Sequence, residues 1–183
     1  MKKALRAAIR IPDEAILAAE SRDVCRHLLS LEEVRAARTV AAFLPMRGEA
    51  EIRPVLERIL EEGRDLLLPR TERDFSIRFL RVRSLADCVP DAFGILSPAP
   101  DNEEADPAVI DLMLLPLCAV DGAGRRLGKG GGCYDRWLAA HPVRCPRIGV
   151  ALRFQRAAAV PADPWDQPLD GCVFPDGLVR YPR

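Results

Sequence analysis

Two short apolar runs bracket one amphipathic stretch between residues 39 and 69, and this arrangement restricts the fold more than any other feature of the chain. Thr39, Val40, Ala41, Ala42, Phe43 and Leu44 follow one another without polar alternation and stop at Pro45. Such a run reads as a strand buried on both faces. Ile52, Val55, Leu56, Ile59 and Leu60 then recur at i, i+3, i+4, i+7 and i+8, which is one face of a helix, and Gly63 ends it. Asp65, Leu66, Leu67, Leu68 and Pro69 form the next strand. Strand, helix and strand within about thirty residues make a βαβ unit, which requires a parallel pair.

The flanking segments extend the pattern. Residues 2–10 read as a short basic helix. Pro12, Asp13 and Glu14 start a second, carried on by Ile16, Leu17, Val24, Cys25, Leu28 and Leu29 at helical spacing. Ser30, Leu31, Glu32 and Glu33 have the form of a capping box for a third. Residues 76–82 alternate and predict a half-exposed strand. Residues 97–107 hold Pro98, Pro100 and Pro107 among acids and predict a loop. Residues 109–115 and 148–152 read as buried strands, with a helix from about Tyr134 to Ala140 between them. The fold class is α/β, one domain over residues 1–183 with an open, mostly parallel (mixed) sheet flanked by helices. The 183 residues, 49% of them hydrophobic, suffice for one core.

Charge and cysteine usage exclude several functions. Lys plus Arg and Asp plus Glu both number 27, which argues against a nucleic-acid binder. None of the six cysteines forms Cys-x-x-Cys or stands near a histidine at zinc spacing, so they read as free thiols in a reducing compartment. No run of signal-peptide or membrane-span length occurs. The expectation is a cytoplasmic protein that does not enter membranes.

Residues 121–136 carry the chemistry: Asp121, Gly122, Ala123, Gly124, Arg125, Arg126, Leu127, Gly128, Lys129, Gly130, Gly131, Gly132, Cys133, Tyr134, Asp135 and Arg136. They lie between a buried strand and a helix, where open α/β sheets bind ligands. Glycines let the backbone approach a phosphate, and a helix start offers unpaired N–H groups to an anion. Arg125, Arg126, Lys129 and Arg136 add positive charge, and Asp135 offers a hard oxygen to Mg2+. Two familiar motifs do not match. Gly124 to Lys129 is one residue short for a Walker A loop, and Gly128, Gly130 and Gly132 lack dinucleotide-fold spacing. The competing reading is a flexible surface turn with solvated charges, in which Asp135 only caps the helix.

Residues 126–136 resemble the signature Arg-Leu-Gly-x-Gly-x-Gly-Tyr-Tyr-Asp-Arg of the 5-formyltetrahydrofolate cyclo-ligases, or methenyltetrahydrofolate synthetases. Other segments resemble that family in order: Lys2 and Arg6 near the start, Phe43 to Glu49, Phe93 to Pro98, Asp111 to Pro116, Ala119 to Asp121, and Gln155, Pro161, Asp166, Leu169 and Asp170. The resemblance implies a NagB/RpiA/CoA-transferase-like fold. It implies ATP- and Mg2+-dependent closure of 5-formyltetrahydrofolate to 5,10-methenyltetrahydrofolate, with phosphorylation of the formyl oxygen and release of ADP and phosphate. It implies Lys129, Arg126 and Tyr134 as catalytic. ATP is assigned to Lys2, Lys3, Arg6, Arg126, Leu127, Gly128, Lys129, Gly130, Gly131, Gly132 and Tyr134. Folate is assigned to Leu44, Glu49 and Cys133, and the metal to Asp135 and Asp166. A small-molecule substrate and a monomer or weak homo-oligomer complete the expectation. The chain departs from the pattern at Cys133, Ile52, Ser97, Ile77, Leu117 and Trp165, chiefly on the folate side. Two other readings stand beside it: a paralogue of the same fold using ATP on another small substrate, and a noncatalytic regulatory or RNA-binding relative.

Overall fold

The computed structural model describes residues 1–182. In chain order its elements are α1 (Lys2–Ala8), α2 (Glu14–Ser30), α3 (Glu32–Ala36), β1 (Thr39–Ala41), α4 (Arg53–Glu61), β2 (Asp65–Thr71), β3 (Ile77–Val82), β4 (Val89–Pro90), β5 (Leu96–Ser97), β6 (Leu112–Leu115), β7 (Ala119–Val120), β8 (Arg126–Leu127), α5 (Cys133–Ala140), β9 (Arg147–Val150), β10 (Gly171–Phe174) and β11 (Gly177–Arg180). Among the described residues seven strands form the main sheet, in the order β11-β10-β9-β6-β1-β2-β3. The five inner strands are parallel. Each edge is antiparallel, β3 against β2 and β11 against β10. The sheet is thus open, mixed and mostly parallel.

The unalternating apolar runs work as expected of strands covered on both sides. Val40, Leu66, Leu68, Leu112, Leu114, Ile148 and Val173 point into one core with Val24 and Leu28 of α2 and Val55, Leu56 and Ile59 of α4. Ala41, Leu67, Met113, Leu115, Cys172 and Phe174 point into the other, against Trp137 and Leu138 of α5 and Phe79 of β3. α4 starts with Pro54 in its first turn and ends at Gly63, whose N–H bonds Leu60 O at 2.9 Å.

Several expectations change. The capping box at residues 30–33 does not form. α2 runs through Ser30, whose hydroxyl donates back to His27 O at 2.8 Å, and Leu31 caps α3 without a side-chain bond. β6 begins at Leu112 rather than at Val109, because Pro107–Val109 is a 3-10 turn. The stretch read as a continuous glycine loop contains the turn and second strand of the β7–β8 hairpin, and Ser97, at the start of the expected proline loop, belongs to β5, which pairs with Val89–Pro90. The chain after residue 170 adds β10 and β11, to which the sequence reading assigns no strand.

β1 is flanked by β2 on one side and by β6 on the other. The chain leaving β1 is residues 42–50 and the chain leaving β6 is residues 116–132. The crevice between them is a topological switch point, where an open parallel sheet binds its ligands.

Candidate active site

Two cavities meet in this crevice. The larger encloses about 890 Å³ of empty space, its open mouth included. Its wall is mainly apolar, with Phe43, Leu44, Leu68, Ile77, Leu117 and Tyr134 among its residues and Glu49 at one end. The smaller, of about 630 Å³, is bounded by Lys2, Arg6, Arg126, Arg136, Asp135, Asp163 and Asp166 over the backbone of Gly128, Gly130 and Gly132. Arg126, Gly128, Gly132 and Asp135 line both.

The β1 exit supplies the carboxylate. Residues 46–49 form a turn in which Glu49 N donates to Met46 O at 2.9 Å and Met46 N donates to Glu49 Oε2 at 2.8 Å. The side chain is 6% exposed, and Oε1 lies 2.9 Å from Lys129 Nζ. Leu44 is buried beside it.

The β6 exit supplies the cations. Asp121 Oδ1 accepts from Ala123 N and Arg125 N, both at 3.0 Å, and Oδ2 accepts from Val160 N at 2.9 Å, so Asp121 builds the hairpin turn. Strand β8 then carries Arg126 inward. Arg126 is buried, donates from Nη2 to Asp135 Oδ1 at 2.9 Å and from Nη1 to Pro116 O at 3.3 Å, and keeps a buried Nε with no partner. A buried donor without a partner is costly and marks a place for an acceptor. The guanidinium also lies 5.6 Å over the Tyr134 ring. Burial pushes the Tyr134 phenol well above its ordinary range, with the Glu49 charge adding to the effect, so the ring serves as a neutral wall and donor. Burial likewise raises the Cys133 thiol, which lines the larger cavity as a neutral group.

The first helix closes the polar cavity. Leu5 and Ile9, four apart on one face, pack on Leu127, Ala119 and Val160. Arg6 Nε donates to Gly128 O at 2.6 Å. Gly130, at φ +118°, has its absent Cβ position 3.6 Å from the Arg6 guanidinium, so this cation lies against bare backbone. Lys2 Nζ lies 2.8 Å from Asp163 Oδ2 and 2.5 Å from Asp166 Oδ2. Burial works against the Lys2 charge, but the bonds to Asp163 and Asp166 outweigh it and hold its pKa above normal; burial also opposes ionisation of Asp166, and the bond from Lys2 outweighs it and holds that carboxyl below normal.

The structure therefore gathers Lys2, Arg6, Arg126, Gly128, Gly130, Gly132, Asp135 and Asp166 at the polar cavity, and Leu44, Glu49, Lys129, Gly131, Cys133 and Tyr134 at the apolar one. Lys3 is exposed and lines neither cavity. Leu127 lines the polar cavity and is buried under α1, which it helps to hold. Lys129 points to Glu49. Among the described residues no group of three or more His, Cys, Asp or Glu side chains is arranged to hold a metal ion. The sequence reading missed Asp163, which shares Lys2 with Asp166, and Asp91, Ile95 and Leu96 of the larger cavity. The Leu5/Ile9 spacing was a visible signal for the docking of α1, and the resemblance over Phe93 to Pro98 was one for Ile95 and Leu96; Asp91 and Asp163 carry none.

The match to known proteins follows this geometry. The model of the 5-formyltetrahydrofolate cyclo-ligase family matches residues 1–175. The chain belongs to this family. The 5-formyltetrahydrofolate cyclo-ligase of Escherichia coli K12 is 32% identical over 159 residues, covering 84% of this chain and 87% of that one. The yeast cyclo-ligase is 28% identical, covering 99% of this chain and 96% of its own. The solved structure of 5,10-methenyltetrahydrofolate synthetase from Aquifex aeolicus superposes with a TM-score of 0.85 at 35% identity, over 98% of this chain and 92% of that one. Membership makes the chain an enzyme of the ligase class in folate one-carbon metabolism. Within the family pattern, Cys133 faces the apolar cavity, Ser97 is buried and accepts from Arg70 at 3.0 Å, and Trp165 stands 63% exposed at the rim of the polar one. No helix among the described residues is long and apolar enough to cross a membrane.

Proposed function

We propose that the enzyme closes 5-formyltetrahydrofolate to 5,10-methenyltetrahydrofolate, with ATP as phosphoryl donor and Mg2+ as its counter-ion. One observation carries the reading: an apolar cavity ending in a carboxylate and a polar cavity ringed by four cations share Arg126 as a wall. A pteridine presents N–H donors that suit Glu49, and its ring suits the apolar wall of Leu44, Ile77 and Tyr134. Phosphates suit Lys2, Arg6 and the orphan Nε of Arg126, all over bare glycine backbone.

The formyl oxygen of an amide is a poor leaving group. Attack of that oxygen on the terminal phosphorus releases ADP and makes it a good one. The folate N10 then attacks the formyl carbon, the ring closes, phosphate departs with the oxygen, and the N10 proton passes to solvent. Arg126, at the junction, is placed to compensate charge on the phosphoryl in transit, and the neutral Tyr134 phenol beside it can donate a hydrogen bond there. The chain's own share is positioning and charge compensation.

Asp135 and Asp166 fit a cation that takes most of its ligands from phosphates and water, as Mg2+ does at nucleotides. When bound, the metal would neutralise phosphate charge. Both carboxylates already hold a cation, Arg126 and Lys2 respectively, so metal entry shares these partners. The reading includes one domain acting in the cytoplasm as a monomer or weak oligomer. All of the named groups come from one chain, and all of its cysteines are free.

The test is absorbance detection of the methenyl product from 5-formyltetrahydrofolate with and without Mg·ATP. Product that requires ATP is expected. ATP binding without product would favour a different small substrate, in line with the departures at Cys133 and Ser97.

A further inference from the structure

Lys129 lies between Gly128 and Gly130, whose backbones line the polar cavity, yet its ammonium leaves that cavity and caps Glu49 Oε1 at 2.9 Å. The other Glu49 oxygen is held by Met46 N, so Oε1 is the one left for a ligand. The carboxylate is 6% exposed and the lysine 41%, so the lysine is the mobile partner. The lysine end of the pair is solvated, which limits what it loses on leaving, and a pair of N–H donors on a bound ring keeps the buried carboxylate hydrogen-bonded once the lysine has gone. Charge gives the freed lysine a destination. The polar cavity is lined by four cations, Lys2, Arg6, Arg126 and Arg136, against Asp135, Asp163 and Asp166, a net of one positive charge. A nucleoside triphosphate with its metal is a net dianion, so one more cation balances it.

We infer that Lys129 is a positioning residue handed from Glu49 to the nucleotide phosphates when the folate ring takes Glu49 Oε1. The hand-over rests on the proposed function, since it needs both ligands. It makes each ligand strengthen the other, because both favour the state in which the Lys129–Glu49 pair is broken, and such coupling is reciprocal. It also keeps phosphoryl transfer waiting for its acceptor: without folate, the lysine stays on the wrong side of the loop.

Calorimetric titration of the whole enzyme with a non-hydrolysable ATP analogue and Mg2+, with and without saturating 5-formyltetrahydrofolate, tests this. Folate is expected to lower the nucleotide Kd by at least about fivefold, and nucleotide to lower the folate Kd by the same factor. Lys129→Met should abolish the coupling and leave nucleotide binding weak in both conditions, with folate alone bound no worse than by the wild type. Glu49→Gln should bring the folate-free nucleotide Kd down to the wild-type value with folate present. Equal nucleotide Kd values with and without folate in the wild type overturn the hand-over and leave the proposed function standing. Retained coupling in Lys129→Met also overturns it. Failure of either ligand to bind overturns the proposed function itself, and the hand-over with it.

Discussion

Arg126 carries the cost that the rest of the site is arranged around. Its side chain is 3% exposed, and it is ion-paired with Asp135, itself 15% exposed. Removing one member of a buried pair strands the other charge, which is where the large penalties arise. Asp135→Asn keeps a hydrogen-bond acceptor for Nη2 but removes the charge. A loss of about 2 kcal/mol, less than that of a fully broken pair, is expected. For a chain of this length that lowers Tm by roughly 4–8 °C in a thermal melt. Turnover should fall further than stability explains and should recover in part at high Mg2+, since an amide is a poorer ligand for that ion. Normal turnover at every Mg2+ concentration, with only Tm lowered, would mean that Asp135 serves Arg126 alone.

Two elements divide a stretch that looks uniform in one dimension. The β7–β8 hairpin is structural. Gly124, at φ +76°, would place a Cβ 2.7 Å from the Tyr181 ring and 3.0 Å from Leu169 O. Gly124→Ala is therefore expected to cost at least about 2 kcal/mol through overpacking and left-handed strain, seen as a Tm drop of roughly 4 °C or more by scanning calorimetry, with the nucleotide Kd unchanged. A weakened nucleotide Kd at unchanged Tm would instead return Gly124 to the phosphate loop. Helix α1 is the counterpart that closes the polar cavity. None of its residues is fully buried, and Lys2 and Arg6 hold it across the glycines. Lys2→Ala with Arg6→Ala should raise the ATP KM at least tenfold, about 1.4 kcal/mol, while the folate KM moves little. The Lys2–Asp166 pair also sets a pH window. The Asp166 pKa is lowered on folding, so its contribution is present above the unfolded value of about 3.9 and is lost as pH falls through the folded one. The Lys2 pKa is raised, so its contribution is full below about 10.4 and is lost only as pH rises through the folded value. The Tm difference between wild type and Lys2→Ala should therefore stay constant from about pH 5 to 9 and narrow in stronger acid. A difference that changes across neutrality would point to another titrating group.

At the scale of the molecule, the parallel βαβ core and the place of the glycine segment between a strand and a helix were legible, because continuous apolar runs and a clean helical face leave few other solutions. Strands β10 and β11 were not: four residues each, with Gly171 and Gly177 at their starts, give too short a run for any period. The cations of the site were legible by type, but their partners were not. Sequence assigns Lys129 to phosphate and Asp166 to metal, and the fold brings these to Glu49 and Lys2, since side-chain direction depends on how three loops meet. Lys2 reaches Asp163 and Asp166 across 161 and 164 residues. Synthesis runs in the opposite sense to this assembly. Helix α1 is made well before the partners that hold it and docks late, because Leu127 and Asp166 must exist before it can find its place. A nascent chain that has formed β1, β2 and β6 thus has most of its parallel core yet no closed polar cavity. An anion held in that cavity can stabilise the fold only once Asp166 has been made, too late to guide the folding of the sheet beneath it.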